Sequence, residues 1–233
     1  MAAVITSAAN PRLKLVRKLA SARQRHKLGL FVVEGEDLVE AGLAAGLDPV
    51  ELLVAGENVS EEVLASVSAL PHPSRRIAVF RRDDLPRITS VRVSDTGVAL
   101  WHVGDPGNVG TILRSADALG PAFVALSSGC ADPTGPKALR ASMGAVFRVP
   151  TGSFEDAPGR RVALVAHGGE PLHRADLSEP VTFVLGAERE GLPESVVRQC
   201  DAQVSIPLEP GTESLNVAVA AALALYERRR SHG

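Results

Sequence analysis

Short apolar runs alternate with helix-length segments along the whole chain, and that alternation limits the folds open to it. Runs at residues 30–35, 50–54 and 77–80 read as strands. Between and after them, segments 37–45, 60–68 and 83–88 read as helical, the second capped by Ser60 with Glu61 and Glu62 in its first turn. A polar stretch at 89–96 reads as a linker, and the pattern then restarts. Strands are expected at 98–103, 123–126, 162–166, 182–185 and 204–206. Helices are expected from the glycine-rich loop 104–110 through 118, and at 136–143, 193–199 and 214–229. The later strands have the Val/Leu-rich character of strands buried on both faces. The expectation is therefore a small α/β domain over residues 1–90 and a larger one over 96–233, the latter a mostly parallel sheet with helices on both faces.

Composition supports a globular core, with 45% hydrophobic and 22% charged residues. Aromatics make up only 3%, so Val, Leu and Ala must fill the interior. Cys130 and Cys200 offer neither metal-site spacing nor a disulfide framework, which fits a reducing, cytoplasmic setting. No metal site and no membrane-spanning segment is expected.

The net charge of −2 does not favour a polyanionic partner, but its distribution does. Arg12, Lys14, Arg17, Lys18, Arg23, Arg25 and Lys27 all precede the first acid, Glu34. Leu13, Val16, Leu19 and Ala20 recur among them at helical spacing, after Asn10 and Pro11 as cap and first-turn residue. Such a helix fits either a solvated surface or a nucleic-acid contact.

Three clusters carry candidate chemistry. In the first, Asp105-Pro106-Gly107-Asn108 opens a helix that carries Arg114. It has the strand–loop–helix form of an α/β ligand site without a dinucleotide or P-loop pattern. In the second, Leu185-Gly186 ends a buried strand and is followed by Glu188. In the third, Ile206-Pro207-Leu208 leads through Gly211 to Ser214-Leu215-Asn216, with Ser214 a possible cap of the last helix. Each alone also fits an ordinary turn. His102, beside Trp101, reads as a core or supporting residue, and His167 as an exposed loop residue.

In this order, the clusters resemble the SpoU (TrmH) branch of the SPOUT methyltransferases. Asn108-x-Gly110-x-x-x-Arg114 resembles the first motif of that family. Leu185-Gly186-x-Glu188-x-x-Gly191-Leu192 resembles its second, and Ile206-Pro207-Leu208 with Ser214-Leu215-Asn216-Val217 its third. Residues 140–150 resemble its middle stretch. The N-terminal part is similar to an L30e-like substrate-binding domain.

The resemblance implies a SPOUT-type sheet with a C-terminal trefoil knot, a homodimer, and S-adenosylmethionine as cofactor. It implies methyl transfer to a ribose 2′-hydroxyl of RNA, with 23S ribosomal RNA favoured. The alternatives are a thiopeptide-type resistance methyltransferase, a transfer-RNA 2′-O-methyltransferase, a small-molecule methyltransferase, or a non-catalytic RNA-binding ribosome-assembly factor. Arg114, Asn108, Glu188, Ser214 and Asn216 would serve catalysis. Leu185, Gly186, Ile206, Leu208, Ser214, Leu215 and Asn216 would hold the cofactor, and Arg12, Lys14, Arg17, Lys18, Arg23, Arg25 and Lys27 would grip RNA.

Overall fold

A computed structural model of the chain describes residues 4–90 and 96–232. The linker expected at 89–96 lies for the most part outside the described residues.

The N-terminal unit runs α1 (Pro11–Lys18), α2 (Ala22–Leu28), β1 (Leu30–Glu34), α3 (Glu36–Ala44), β2 (Glu51–Val54), α4 (Glu61–Ala65) and β3 (Arg76–Arg81). Asn10 caps α1 by accepting from Arg12 N at 2.9 Å, and Pro11 stands in its first turn. The basic segment is two helices, because α1 stops at Lys18 and α2 ends on Gly29 with φ 64°. The three strands form an antiparallel sheet in the order β1–β3–β2. One face packs Leu53, Ile77 and Val79 against Leu13, Val16 and Leu19 of the basic segment. The other face carries Phe31, Val33, Ala78 and Phe80 into the main core.

The C-terminal unit follows with β4 (Thr96–Leu100), α5 (Pro106–Leu119), β5 (Ala122–Leu126), α6 (Pro136–Ser142), β6 (Thr151–Ser153), β7 (Arg160–Leu164), β8 (Glu170–Pro171), β9 (Val181–Leu185), α7 (Glu194–Val197), β10 (Ala202–Ser205) and α8 (Val217–His232). Its seven strands pair in parallel throughout, in the order β6–β5–β4–β9–β7–β10–β8. Strand alternation divides the core. Val98, Leu100, Phe183 and Leu185 face the side of α5 and α8, while Ala99, Phe123 and Val184 face Phe154 and Val196. Helices α5 and α8 thus cover one face, and the other is covered by Val196 of α7 together with Ile88, Phe154 and Ala157 from 3-10 and loop segments, which leaves the strands buried on both sides. The last helix begins at Val217 rather than at 214, because Asn216 supplies the cap: its Oδ1 accepts from Ala218 N at 2.9 Å.

The two units share one core. Phe147, in a short 3-10 turn after α6, packs against Phe31 and Phe80 with ring centroids 6.4 Å and 6.0 Å away. Beside this contact, Asp132 of the C-terminal unit accepts from Arg25 Nε at 2.9 Å and from Arg82 Nη1 at 3.1 Å.

Candidate active site

The three clusters converge at the C-terminal edge of the parallel sheet. Asp105 caps α5, its Oδ1 accepting from Asn108 N at 3.0 Å, and Lys137 of α6 holds its other oxygen at 2.8 Å. The hydrogen bond from Lys137, aided by that from Asn108 N, keeps the Asp105 carboxyl below its ordinary range. The cap points Asn108 out of the first turn toward two partners. Asn108 Nδ2 donates to Glu188 Oε1 at 2.7 Å, and Asn108 Oδ1 accepts from Asn216 Nδ2 at 3.1 Å. Asn108 thereby ties together loops that lie 80 and 108 residues away in sequence. Asn216 in turn holds the N-terminus of α8.

Next to this network lies a cavity of about 530 Å³, within the usual range for small-molecule sites. Leu185, Gly186 and Glu188 line it from the loop after β9, and Ile206, Leu208, Ser214 and Leu215 from the loop before α8. Gly186 is required by packing. A Cβ there would stand 2.1 Å from the backbone of Gly191, so the loop can double back only over a residue without a side chain. The residues fit an adenosine-bearing cofactor: apolar side chains form the walls, and strand-end backbone offers hydrogen-bonding groups beside them.

Ser214 lines the cavity but makes no side-chain hydrogen bond among the described residues, and it does not cap α8. Asn216 joins the polar network rather than the cavity lining. Arg114 lies six residues beyond Asn108 on α5, about 9 Å along the helix axis. It is exposed, and among the described residues it has no hydrogen-bond or ion-pair partner.

The structure adds a fourth segment that sequence reasoning missed. Leu164, Val165, Ala166 and His167, after β7, line the same cavity. The signal was available: they end a buried parallel strand, where α/β sheets place ligands. Among the described residues no group of His, Cys, Asp and Glu is placed to hold a metal ion, and no helix is long and apolar enough to cross a membrane.

The N-terminal cations separate into classes. Lys14, Arg17, Lys18, Arg23 and Lys27 are exposed. Arg17 nevertheless donates to Ala8 O at 2.7 Å. Arg12 is half-buried and paired with Glu51. Arg25 does not belong to an RNA-gripping surface. It is only 4% exposed, and its Nε and Nη1 are bonded to Asp132 and to the carbonyls of Leu19 and Ala20, so its guanidinium is held inside the molecule.

Comparison with known proteins agrees with this arrangement. Residues 95–226 match the SpoU rRNA Methylase family, and residues 10–79 match the MRM3-like substrate binding domain. The chain is 32% identical to the 23S rRNA (guanosine(2553)-2′-O)-methyltransferase RlmP of Bacillus subtilis, over 97% of this chain and 98% of that protein. Its fold superposes on the AdoMet-bound rRNA methyltransferase of Sinorhizobium meliloti with a TM-score of 0.88 and 30% identity, covering 98% of this chain and 97% of that one. The AdoMet complex of the SpoU methyltransferase AviRb from Streptomyces viridochromogenes gives 0.83 at 26% identity, covering 95% and 98%. By its motifs, its fold and these relatives, the chain belongs to the SpoU rRNA methylase family.

Proposed function

We propose that this protein transfers the methyl group of S-adenosylmethionine to a ribose 2′-hydroxyl of RNA, with 23S ribosomal RNA as the substrate. The observation that carries this reading is the Glu188–Asn108–Asn216 hydrogen-bonded chain beside the cavity. It brings one side chain from each of the three motifs into direct contact. The cofactor, when bound, supplies a methyl group on a sulfonium, which needs little further activation.

The protein's part is to hold the hydroxyl in line and to manage its proton. The loops at 185–191 and 206–215 hold the cofactor, with Leu185, Gly186, Ile206, Leu208, Ser214 and Leu215 around it. Asn108 and Asn216 fix the floor of the site, and Glu188 anchors Asn108. Arg114 works by donating hydrogen bonds to the ribose or to a neighbouring phosphate, since a guanidinium offers a fork of N–H donors and no acceptor. Its exposure, and the lack of a partner among the described residues, support that role.

Residues 1–90 serve as the RNA-binding domain and 96–233 as the catalytic domain, knotted at its C-terminal end. Lys14, Arg17, Lys18, Arg23 and Lys27 contact phosphates and give salt-sensitive affinity. The active form is a homodimer. An exposed apolar stripe on α8 formed by Val219, Leu223 and Tyr226 supports this, because it borders Asn108 and Asn216 in one shallow groove.

The test is transfer from labelled S-adenosylmethionine to ribosomal and transfer RNA, with wild type and Arg114→Ala in parallel. Label in alkali-resistant dinucleotides of 23S RNA, reduced at least about 100-fold in the variant, is the expected result. Cofactor binding with no label on either RNA would overturn the reading.

A further inference from the structure

Strand β4 leaves the sheet through two rings, Trp101 and His102. Trp101 N donates to Leu185 O at 2.8 Å, so the pair stands level with the start of the cofactor loop, one strand over. His102 then turns into the left-handed region with φ 55°. A residue with a side chain is uncommon there and holds strain unless its surroundings impose it. Here they do. His102 N donates to Ser127 Oγ at 3.0 Å. The imidazole lies parallel to the Trp101 indole, at 4.8 Å between centroids and 5° between planes. Trp101 itself meets Phe154 edge-on at 5.2 Å. Gly129 leaves room for the imidazole, since a Cβ there would stand 3.3 Å from His102 Cδ2.

The imidazole takes no part in the core, although the Trp101 ring beneath it packs against one. His102 is exposed, and its ring nitrogens have no hydrogen-bond partner among the described residues. All six phenylalanines are buried, so Trp101, with His102 on it, and Tyr226 of the α8 stripe are the Trp, Phe and Tyr residues open to solvent. His102 also stands three residues before Asp105, at the entrance to the loop that presents Asn108.

The geometry points to His102, braced by Trp101, as a contact for an unpaired nucleobase next to the methylated ribose. This rests on the RNA methyltransferase reading. Sequence-specific RNA recognition relies on splayed-out bases that stack on rings and bond to polar edges. A ring already fixed in place loses little freedom on binding. His102 offers a ring braced on Trp101, with exposed nitrogens, at the entrance to the loop that presents Asn108. The left-handed backbone is what turns it toward Trp101.

The test compares wild type, His102→Gly and His102→Phe. Glycine suits the local φ, so His102→Gly should fold with its Tm held or raised. The probes are a fluorescein-labelled single-stranded RNA 12-mer pool, a duplex RNA of the same length, and a 23S RNA transcript for methyl transfer. For His102→Gly, the single-strand Kd should rise about 10-fold while the duplex Kd holds. The KM for the transcript should rise with kcat at saturating RNA and cofactor affinity unchanged. His102→Phe should recover part of the single-strand affinity. If His102→Gly binds single strands as wild type does, or weakens single-strand and duplex binding equally, the proposal falls while the methyltransferase reading stands. A wild type that neither binds nor methylates RNA overturns both.

Discussion

Asn108 and Arg25 show why a residue's motif and its burial lead to different consequences. Asn108 is the middle member of the Glu188–Asn108–Asn216 chain, and both partners are exposed. Asn108→Ala lets water satisfy the freed groups, so stability should change by under about 1 kcal/mol. Positioning is more sensitive than stability, and kcat should fall roughly 10- to 100-fold. Thermal melts alongside single-turnover methylation check both halves, and a large loss of Tm with activity intact would contradict the assignment. Asn108, Glu188 and Asn216 were legible in the sequence through the three ordered motifs that contain them, which the fold joins in one hydrogen-bonded chain. The fate of Arg25 was not. Its burial is decided by Asp132, 107 residues away, and a count of local charge cannot see that partner. His167 is exposed after β7, as read, but its place at the end of a buried parallel strand, which was the available signal for a cavity lining, was passed over.

At the scale of elements, strongly patterned segments were readable and marginal ones were not. The alternation of apolar runs identified β1, β2, β3, β5 and β9 to within a residue at each end, and β4, β7 and β10 with bounds shifted by up to three residues. It missed β6 and β8, which have three and two residues and too little sequence to show a period. The antiparallel pairing of β1, β3 and β2 was also hidden, because pairing depends on the long-range core rather than on local pattern. A close helix–helix contact is likewise set by tertiary packing. At the crossing of α5 and α6, a Cβ on Gly110 would stand 2.4 Å from Ala138 O and 2.6 Å from Ala141 Cβ. Backbone cannot yield there as a flexible side chain can. Gly110→Ala should cost about 1–3 kcal/mol and move α5 away from α6. Because Asn108 and Arg114 both ride on α5, activity should drop further than stability alone accounts for. Melting and methylation measured at a temperature where the variant stays folded separate the two effects.

Over the whole molecule, one partly buried carboxylate helps lock the N-terminal unit to the catalytic one. Asp132 holds Arg25, Arg82 and Thr134 together. Burial opposes its charge, but the hydrogen bonds from Thr134 and the nearby Arg82 and Arg25 outweigh that, so its carboxyl sits below the ordinary range. A depressed carboxyl contributes stability above its unfolded pKa, about 4, and loses it as pH falls through the lower folded value. Wild type should therefore lose stability below about pH 4 more steeply than Asp132→Asn does. At neutral pH, Asp132→Ala leaves the Arg25 guanidinium buried without its counter-ion and should cost about 3–5 kcal/mol. A Tm within a degree of wild type would show that the pair adds nothing. The α8 stripe makes a second prediction at this scale. Val219, Leu223 and Tyr226 are 48%, 40% and 53% exposed, and they follow helical spacing along one face. A charge at Leu223 should cost the monomer little, since the residue faces solvent in the single chain, but it would be desolvated against a second copy. Leu223→Glu should then elute as a folded monomer while wild type elutes as a dimer by light scattering. Its methylation should fall, because the same groove reaches Asn108 and Asn216. A variant that remained dimeric would place the interface elsewhere, and one that became monomeric with full activity would show that each chain carries a complete site.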